Sequence, residues 1–323
     1  MKPRSSLWRR EGLVLPVKPG HCWWVSHAQL PTVLAMSERL WRVYFGARDC
    51  GNCSRMLAVD LDPGDRMRVV AEYLDSLLDC GPPGTFDHGG ASPSAALWVD
   101  GQVRLYYIGV SRREDVRGQT AIGLAVSDDG LTFRKAFSGP VHGIGPFDPC
   151  FTTAPTVRRM REGYRMWYVS GTEWRPVHGK MEPFYEIRST HSSDGFIWDA
   201  RSQTTIALRA PAAGYGRPWV AEGNDGLRLW FSRRGEVYRG VGDGAYRLAS
   251  ILADEHGGFS GAAEPVAYEN PPETSDFDSW MQAYACVVPH RDDLIMFYNG
   301  DDFGRTGFGW ARLAGGAKPT GAA

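Results

Sequence analysis

A short apolar pattern ending on proline recurs at Pro31, Pro93, Pro155 and Pro218, about every 62 residues. The copies read Gln29-Leu30-Pro31-Thr32-Val33, Ala91-Ser92-Pro93, Thr153-Ala154-Pro155-Thr156-Val157 and Gly216-Arg217-Pro218-Trp219-Val220, and a fifth, Gln282-Ala283-Tyr284-Ala285-Cys286, lacks the proline. Behind each copy lies a β-branched and aromatic run closed by small residues, at 41–46, 103–109, 164–171, 227–232 and 294–300. Such runs form buried strands. A repeat of this length made only of strands and turns points to a propeller, because one four-stranded sheet cannot bury both faces alone. The sequence therefore predicts an all-β, five-bladed β-propeller as a single domain over 1–323, with blades at roughly 22–80, 86–146, 147–209, 214–265 and 277–313.

A third strand carries its own turn signal. Ser127-Asp128-Asp129-Gly130-Leu131-Thr132-Phe133 and Ser193-Asp194-Gly195-Phe196-Ile197-Trp198 place Asp-Gly where a tight hairpin needs positive φ, with an aromatic beyond to pack on the blade. Glu255-His256-Gly257-Gly258-Phe259 is a degenerate echo. The last blade ends one strand short near Leu313, and 7–17 supplies a candidate to complete it and remove the open edge.

The formal net charge of -1 gives no field that would recruit nucleic acid or an anionic membrane. No segment approaches a membrane span, and the apolar stretch at 13–17 is too short for a signal peptide, so a cytoplasmic location is expected. Six cysteines show no disulfide spacing, and Cys50-Gly51-Asn52-Cys53 lacks a second pair for zinc. Twelve tryptophans suit sugar stacking as well as packing between blades. The oligomeric state is not readable.

Chemistry in a propeller sits at the loops leading into the innermost strands and at the loops that end the second strands. The first group holds His27, Phe86-Asp87-His88, Phe147-Asp148-Pro149, Arg217 and Phe277-Asp278-Ser279-Trp280. The second holds Arg48-Asp49, Ser111-Arg112-Arg113, Glu173-Trp174, Arg233-Arg234 and Asn299-Gly300-Asp301-Asp302. Carboxylates and arginine forks bind vicinal hydroxyls while an aromatic face covers the sugar ring, so a carbohydrate or sugar-phosphate ligand is expected. The alternative for Arg48, Asp49 and Arg233 is a salt-bridge network between blades. For the repeated Asp it is turn formation.

These features resemble the five-bladed β-propeller glycoside hydrolase superfamily, which includes families 32, 43, 62, 68 and 130. Tyr185-Glu186-Ile187, Arg217-Pro218, Tyr298-Asn299-Gly300 and Phe303-Gly304-Arg305-Thr306-Gly307-Phe308-Gly309 are similar to a bacterial polysaccharide-cluster branch, itself resembling the N-terminal domain of plant glucosamine inositolphosphorylceramide transferases. The resemblance implies an enzyme acting on a glycosidic bond, with one carboxylic acid protonating the leaving oxygen and a second carboxylate as base or nucleophile. By position these are Glu173 as acid, its pKa raised by Trp174, with Asp87 or Asp148 as partner and Asp278 as a third carboxylate. Tyr185, Asn299 and Asp301 join the binding set, while Arg217, Arg233 and Arg305 would hold a phosphate or carboxylate. Families 32 and 43 carry an Asp on the first inner strand, but 23–31 here has none, so the base has moved to another blade or an external nucleophile such as phosphate or an acceptor hydroxyl is used, with His27 and His88 assisting as base or ligand, or the chain is a non-catalytic glycan-binding propeller. Some relatives hold a calcium or sodium ion in the channel through a histidine. No acidic cluster has ligand spacing, and no metal or cofactor is assigned.

Overall fold

Near-continuous runs of buried β-branched, aromatic and small residues produce strands almost throughout. The computed structural model describes residues 7–18 and 20–318, so both ends of the predicted 1–323 domain lie outside the described residues. Strand β1 (Arg9–Pro16) precedes β2 (Ser26–Ser37), β3 (Leu40–Arg48), β4 (Ser54–Asp62) and β5 (Arg68–Tyr73), which form one sheet in that order. A second sheet comprises β6 (Ala91–Val99), β7 (Gln102–Ser111), β8 (Gln119–Ser127) and β9 (Arg134–Lys135). Next come β10 (Phe151–Arg159), β11 (Tyr164–Val177), β12 (Lys180–Ser192) and β13 (Gln203–Ile206), then β14 (Gly214–Gly223), β15 (Gly226–Arg234), β16 (Arg247–Leu252) and β17 (Glu264–Pro265). The last strands are β18 (Ala283–His290), β19 (Asp293–Asn299) and β20 (Gly307–Leu313), and β20 pairs antiparallel with β1. The single short helix among the described residues is Asp301–Gly304.

The strands make four sheets where the repeat predicts five separate ones. The runs β10–β13 and β14–β17 join into an eight-stranded sheet through one parallel pair, Tyr185 with Gly214. Gly214 permits this approach, since a Cβ there would stand 2.4 Å from the Tyr185 ring.

Pro31, Pro93, Pro155 and Pro218 all fall within the first strand of a run, in β2, β6, β10 and β14. The ladder slips beside each, and also between Ala283 and Cys286 in the copy without proline. These are bulges, which free the backbone there from strand pairing. At four of them Leu30, Ala154, Arg217 and Tyr284 adopt positive φ of 56°, 48°, 35° and 61°. A non-glycine residue there costs about 1–3 kcal/mol, and the surroundings must hold it.

The Asp-Gly turns behave as the sequence predicts. Gly130 and Gly195 have φ of 71° and 77°, and their carbonyls accept hydrogen bonds from Tyr44 Oη at 2.7 Å and Tyr106 Oη at 2.6 Å, each in the preceding sheet. The aromatics beyond them complete the joint, with Phe133 edge-on to Tyr44 at 5.6 Å and Trp198 edge-on to Tyr106 at 5.9 Å. The echo follows suit, Gly257 having φ of 76° and Phe259 packing on Trp167.

One side chain connects most of the first strands. Arg217 of β14 is fully buried and donates to the carbonyls of Tyr284 (2.9 Å), Pro31 (2.9 Å) and Ser94 (3.3 Å) and to Thr32 Oγ1 (2.9 Å), reaching β18, β2 and β6. Ser94 Oγ continues the network to the Pro155 carbonyl of β10 at 2.8 Å. Replacing Arg217 by Met leaves these acceptors facing an apolar side chain. We expect a loss of about 3 kcal/mol or more in the unfolding free energy, read from the urea midpoint. An unchanged midpoint would show that the strands hold together without this guanidinium.

Candidate functional site

The bulged positions of the first strands face a central cavity. Its inner lobe, about 310 Å³, has Leu30, Ala154, Arg217 and Tyr284 in its lining, and its outer lobe, about 830 Å³, opens between the loops after β3, β7 and β15. The lobes share Gln29, Arg48, Ser54, Thr120, Tyr246 and Tyr284, so they are one continuous space. This is the size range of small-ligand sites.

One side of the space is cationic. Arg48, Arg112, Arg113, Arg117 and Arg239 line the outer lobe with His27, and neither lobe has an Asp or Glu in its lining. Arg48 holds only Gln29 Oε1, at 3.2 Å, and its buried Nε has no partner. Burial draws its pKa below the ordinary arginine value, and the charge of Arg239 adds to this. Burial, with the charges of Arg48 and Arg305, likewise pushes His27 down to about 4, so its ring is neutral at pH 7. Arg112 donates to the Gly51 carbonyl at 2.9 Å and contacts Cys53 Sγ at 3.1 Å. Glu182 sits behind this wall, buried, accepting from Arg117 at 3.0 Å and from Tyr238 Oη at 3.0 Å, with Arg239 at 3.8 Å.

The other side is aromatic. Phe151, Trp174 and Tyr185 line the inner lobe, Tyr238 and Phe303 the outer one, and Tyr246 and Tyr284 both. Buried Arg234 organises them: its Nε donates to Tyr185 Oη at 2.7 Å, and its guanidinium lies 4.6 Å from the Tyr185 ring centroid and 4.2 Å from that of Tyr238. The Tyr185 and Tyr246 hydroxyls hydrogen-bond to each other.

Of the residues expected from sequence, His27, Arg48, Trp174, Tyr185 and Arg217 line this space. The proposed carboxylates do not. Asp87, Asp148 and Asp278 are each at most 1 % exposed and each accepts from the tyrosine 20 positions later: Tyr107 at 2.9 Å, Tyr168 at 3.0 Å and Tyr298 at 2.8 Å. Each also holds a cation or histidine, namely Lys135 at 2.6 Å, His142 at 3.2 Å and Arg10 at 2.5 Å. The repeats whose second strand carries Phe45 or Phe231 at that place have no hydroxyl to bind, and 20 positions earlier they have Val25 and Pro211. The Phe-Asp motif is thus half of an internal Asp–Tyr clasp.

Glu173 also departs from expectation. Its side chain is 45 % exposed, and the Arg175 guanidinium lowers its pKa, against the rise expected from Trp174. Asp49 pairs with Arg55 at 2.8 Å and caps its own loop through the Gly51 and Cys53 amides. Asn299 bonds the Leu30 amide and the Ala28 and Gly307 carbonyls, and Asp301 accepts from Ser279, Trp280 and Met281, so both are clamps. His88 faces the Thr85 carbonyl, and Arg233 and Arg305 are exposed outside the lining. Repeat register would have chosen correctly between neighbours: aligning Phe45 with Phe231 sets Arg234, not Arg233, in the place of Arg48.

The residues do not fit the channel ion that the resemblance implies. Arg217 already places a cation among the first-strand carbonyls, and among the described residues no three His, Cys, Asp or Glu side chains converge. Among the described residues no helix is long and apolar enough to cross a membrane.

No protein-family model matches the chain. An uncharacterised protein of Mycobacterium tuberculosis strain H37Rv is 29% identical over 307 residues, covering 95% of this chain and 99% of that protein. Among solved structures, the fold is shared with a putative glycoside hydrolase from Bacteroides ovatus (TM-score 0.68, 15% identity, 95% of this chain and 96% of that one). It is shared too with a structure from a study of the GH130 family of mannoside phosphorylases (0.65, 12%, 94% and 93%) and a thermostable family-43 glycoside hydrolase (0.63, 12%, 96% and 98%).

Two substitutions separate the buried clasp carboxylates from the exposed Glu173. Asp278→Asn leaves Arg10 only the half-buried Asp276 as its carboxylate partner and should cost about 3 kcal/mol in urea unfolding, whereas Glu173→Gln should leave the midpoint unmoved. Interactions with His142 and Tyr168 outweigh burial and hold Asp148 below the usual carboxylate range. Its stabilisation is therefore complete above the unfolded pKa of about 3.9 and is lost as pH falls through the lower folded value. Tyr168→Phe should move acid unfolding to higher pH, and an unmoved transition would sever Asp148 from stability.

Proposed function

We propose that this chain is a carbohydrate-binding protein, a five-bladed β-propeller forming a single domain over 1–323, whose ligand occupies the central cavity. Support for five blades comes from the first strands: β2 neighbours β6, β6 neighbours β10, β10 neighbours β14, β14 neighbours β18, and β18 returns to β2. In this reading the eight-stranded sheet counts as two blades bridged at Tyr185, and the β1–β20 pair closes the ring. The branch resembling the N-terminal domain of glucosamine inositolphosphorylceramide transferases remains our assignment. So does a cytoplasmic location, with which six free thiols agree.

The observation that carries the reading is a cavity with an aromatic wall and no carboxylate in its lining. Sugar rings stack on such walls, whereas glycoside hydrolysis by the two-carboxylate route needs an acid and a base or nucleophile flanking the bond. Glu173, Asp87, Asp148 and Asp278 are committed elsewhere, so this route has no candidates within the lining. A second reading, phosphorolysis or transfer to an external acceptor, is favoured by the arginine wall, which suits an anionic nucleophile.

Calorimetry against a panel of oligosaccharides, alongside turnover assays with and without inorganic phosphate, tests both readings. We expect binding that weakens about tenfold in Trp174→Ala, roughly 1.4 kcal/mol, and no hydrolysis. Release of a sugar phosphate only when phosphate is present would select the second reading. Hydrolysis abolished by Glu173→Gln would restore the two-carboxylate mechanism and sink ours.

A further inference from the structure

We infer that the outer lobe is a subsite for a phosphoryl group, formed by Arg48, Arg112, Arg117 and Arg239 with His27. The inference deepens the carbohydrate reading and rests on it for the sugar part of the ligand. Elsewhere in the molecule Arg10 holds Asp278, Arg42 holds Asp60 and Arg55 holds Asp49, each cation against a carboxylate. At the cavity this pairing fails. Five arginines line the outer lobe, and their carboxylate partners are Asp115, on Arg113, and Glu182, shared by Arg117 and Arg239. Five cations against two carboxylates leave three positive charges unbalanced.

Such an arrangement is costly for an empty surface. Arg48 and Arg239 repel each other, Arg48 keeps a buried Nε without an acceptor, and His27 is held neutral by burial and by the arginines beside it. One bound anion relieves all three. A uronate brings one charge and two oxygens, whereas a phosphoryl group brings nearly two charges and three oxygens, and several arginine forks can share it. These arginines come from three sheets, at the end of β3 and on the loops after β7 and β15, so they surround the lobe rather than flank it. The resemblance implies Arg217, Arg233 and Arg305 for an anion. Arg217 is consumed by carbonyls, and the other two lie outside the lining. The adjoining aromatic wall places a sugar ring next to the phosphoryl group.

The probes are inorganic phosphate, a hexose 1-phosphate and the same hexose without phosphate, titrated calorimetrically into the full chain at about 0.02 M and about 0.2 M salt. The hexose 1-phosphate should bind at least about tenfold more tightly than the hexose, less so at the higher salt, and inorganic phosphate should compete with it. Arg48→Gln and Arg112→Gln should each weaken it about tenfold, while the exposed Arg233→Gln does not. The His27 ring, followed by NMR, should titrate at a higher pH than about 4 when phosphate is bound. Arg112 is exposed, so its variant decides the matter if Arg48→Gln fails to fold. Equal affinity for hexose and hexose 1-phosphate, unaffected by either variant, would overturn the subsite and leave sugar binding standing. Phosphate binding with no gain from the sugar would uphold the subsite and remove the carbohydrate reading. No binding of phosphate or hexose 1-phosphate overturns the inference.

Discussion

The buried guanidinium of Arg217 is the interaction on which the rest of this architecture turns. Bulges at the prolines of the first strands free backbone carbonyls from ladder pairing, and four strained residues line the inner lobe. Carbonyl oxygens brought together repel one another and need a donor. Arg217 supplies a planar fork that reaches three other first strands at once, which a lysine, a point donor, cannot do. Burial lowers its pKa only to about 10, so it stays charged at neutral pH. The floor of the cavity is therefore a fixed cation held by neutral dipoles, and its shape follows from that network.

The clasps between the loops and the second strands work on the same economy of repeats. Asp87, Asp148 and Asp278 meet Tyr107, Tyr168 and Tyr298 at a constant offset, while the two repeats with phenylalanine dispense with the acid. A buried hydroxyl and a buried carboxylate each need a partner, so losing one makes the other a liability. This co-variation within one chain was legible without any structure. Proximity in sequence to a first strand disguises it, because that is not proximity to the cavity.

Strand content, the Asp-Gly turns and the pairing of the first strand with the last followed from periodicity, because buried strands and tight turns are local demands on residue type. The site was legible only in part. Trp174 is found at a strand-ending loop, Tyr185 through the resemblance, and His27 and Arg48 as polar tips, but Tyr238, Arg239 and Tyr246 sit in a long loop whose path no local rule predicts. Adjacent residues on a strand point to opposite sides, so Arg233 and Arg234, or Glu173 and Trp174, exchange roles with a one-residue change of register.

The absence of a carboxylate from 23–31 acquires a physical sense from what surrounds that segment. His27, Arg48 and Arg239 line the outer lobe, and Arg305 acts on the His27 ring from outside it. A carboxylate placed there would be held ionised and paired by these cations. It would also neutralise the cations and close the lobe to an anion. A cavity can recruit negative charge from its own chain or from its ligand, and one that spends its carboxylates on clasps outside the lining has left that charge for the ligand to bring.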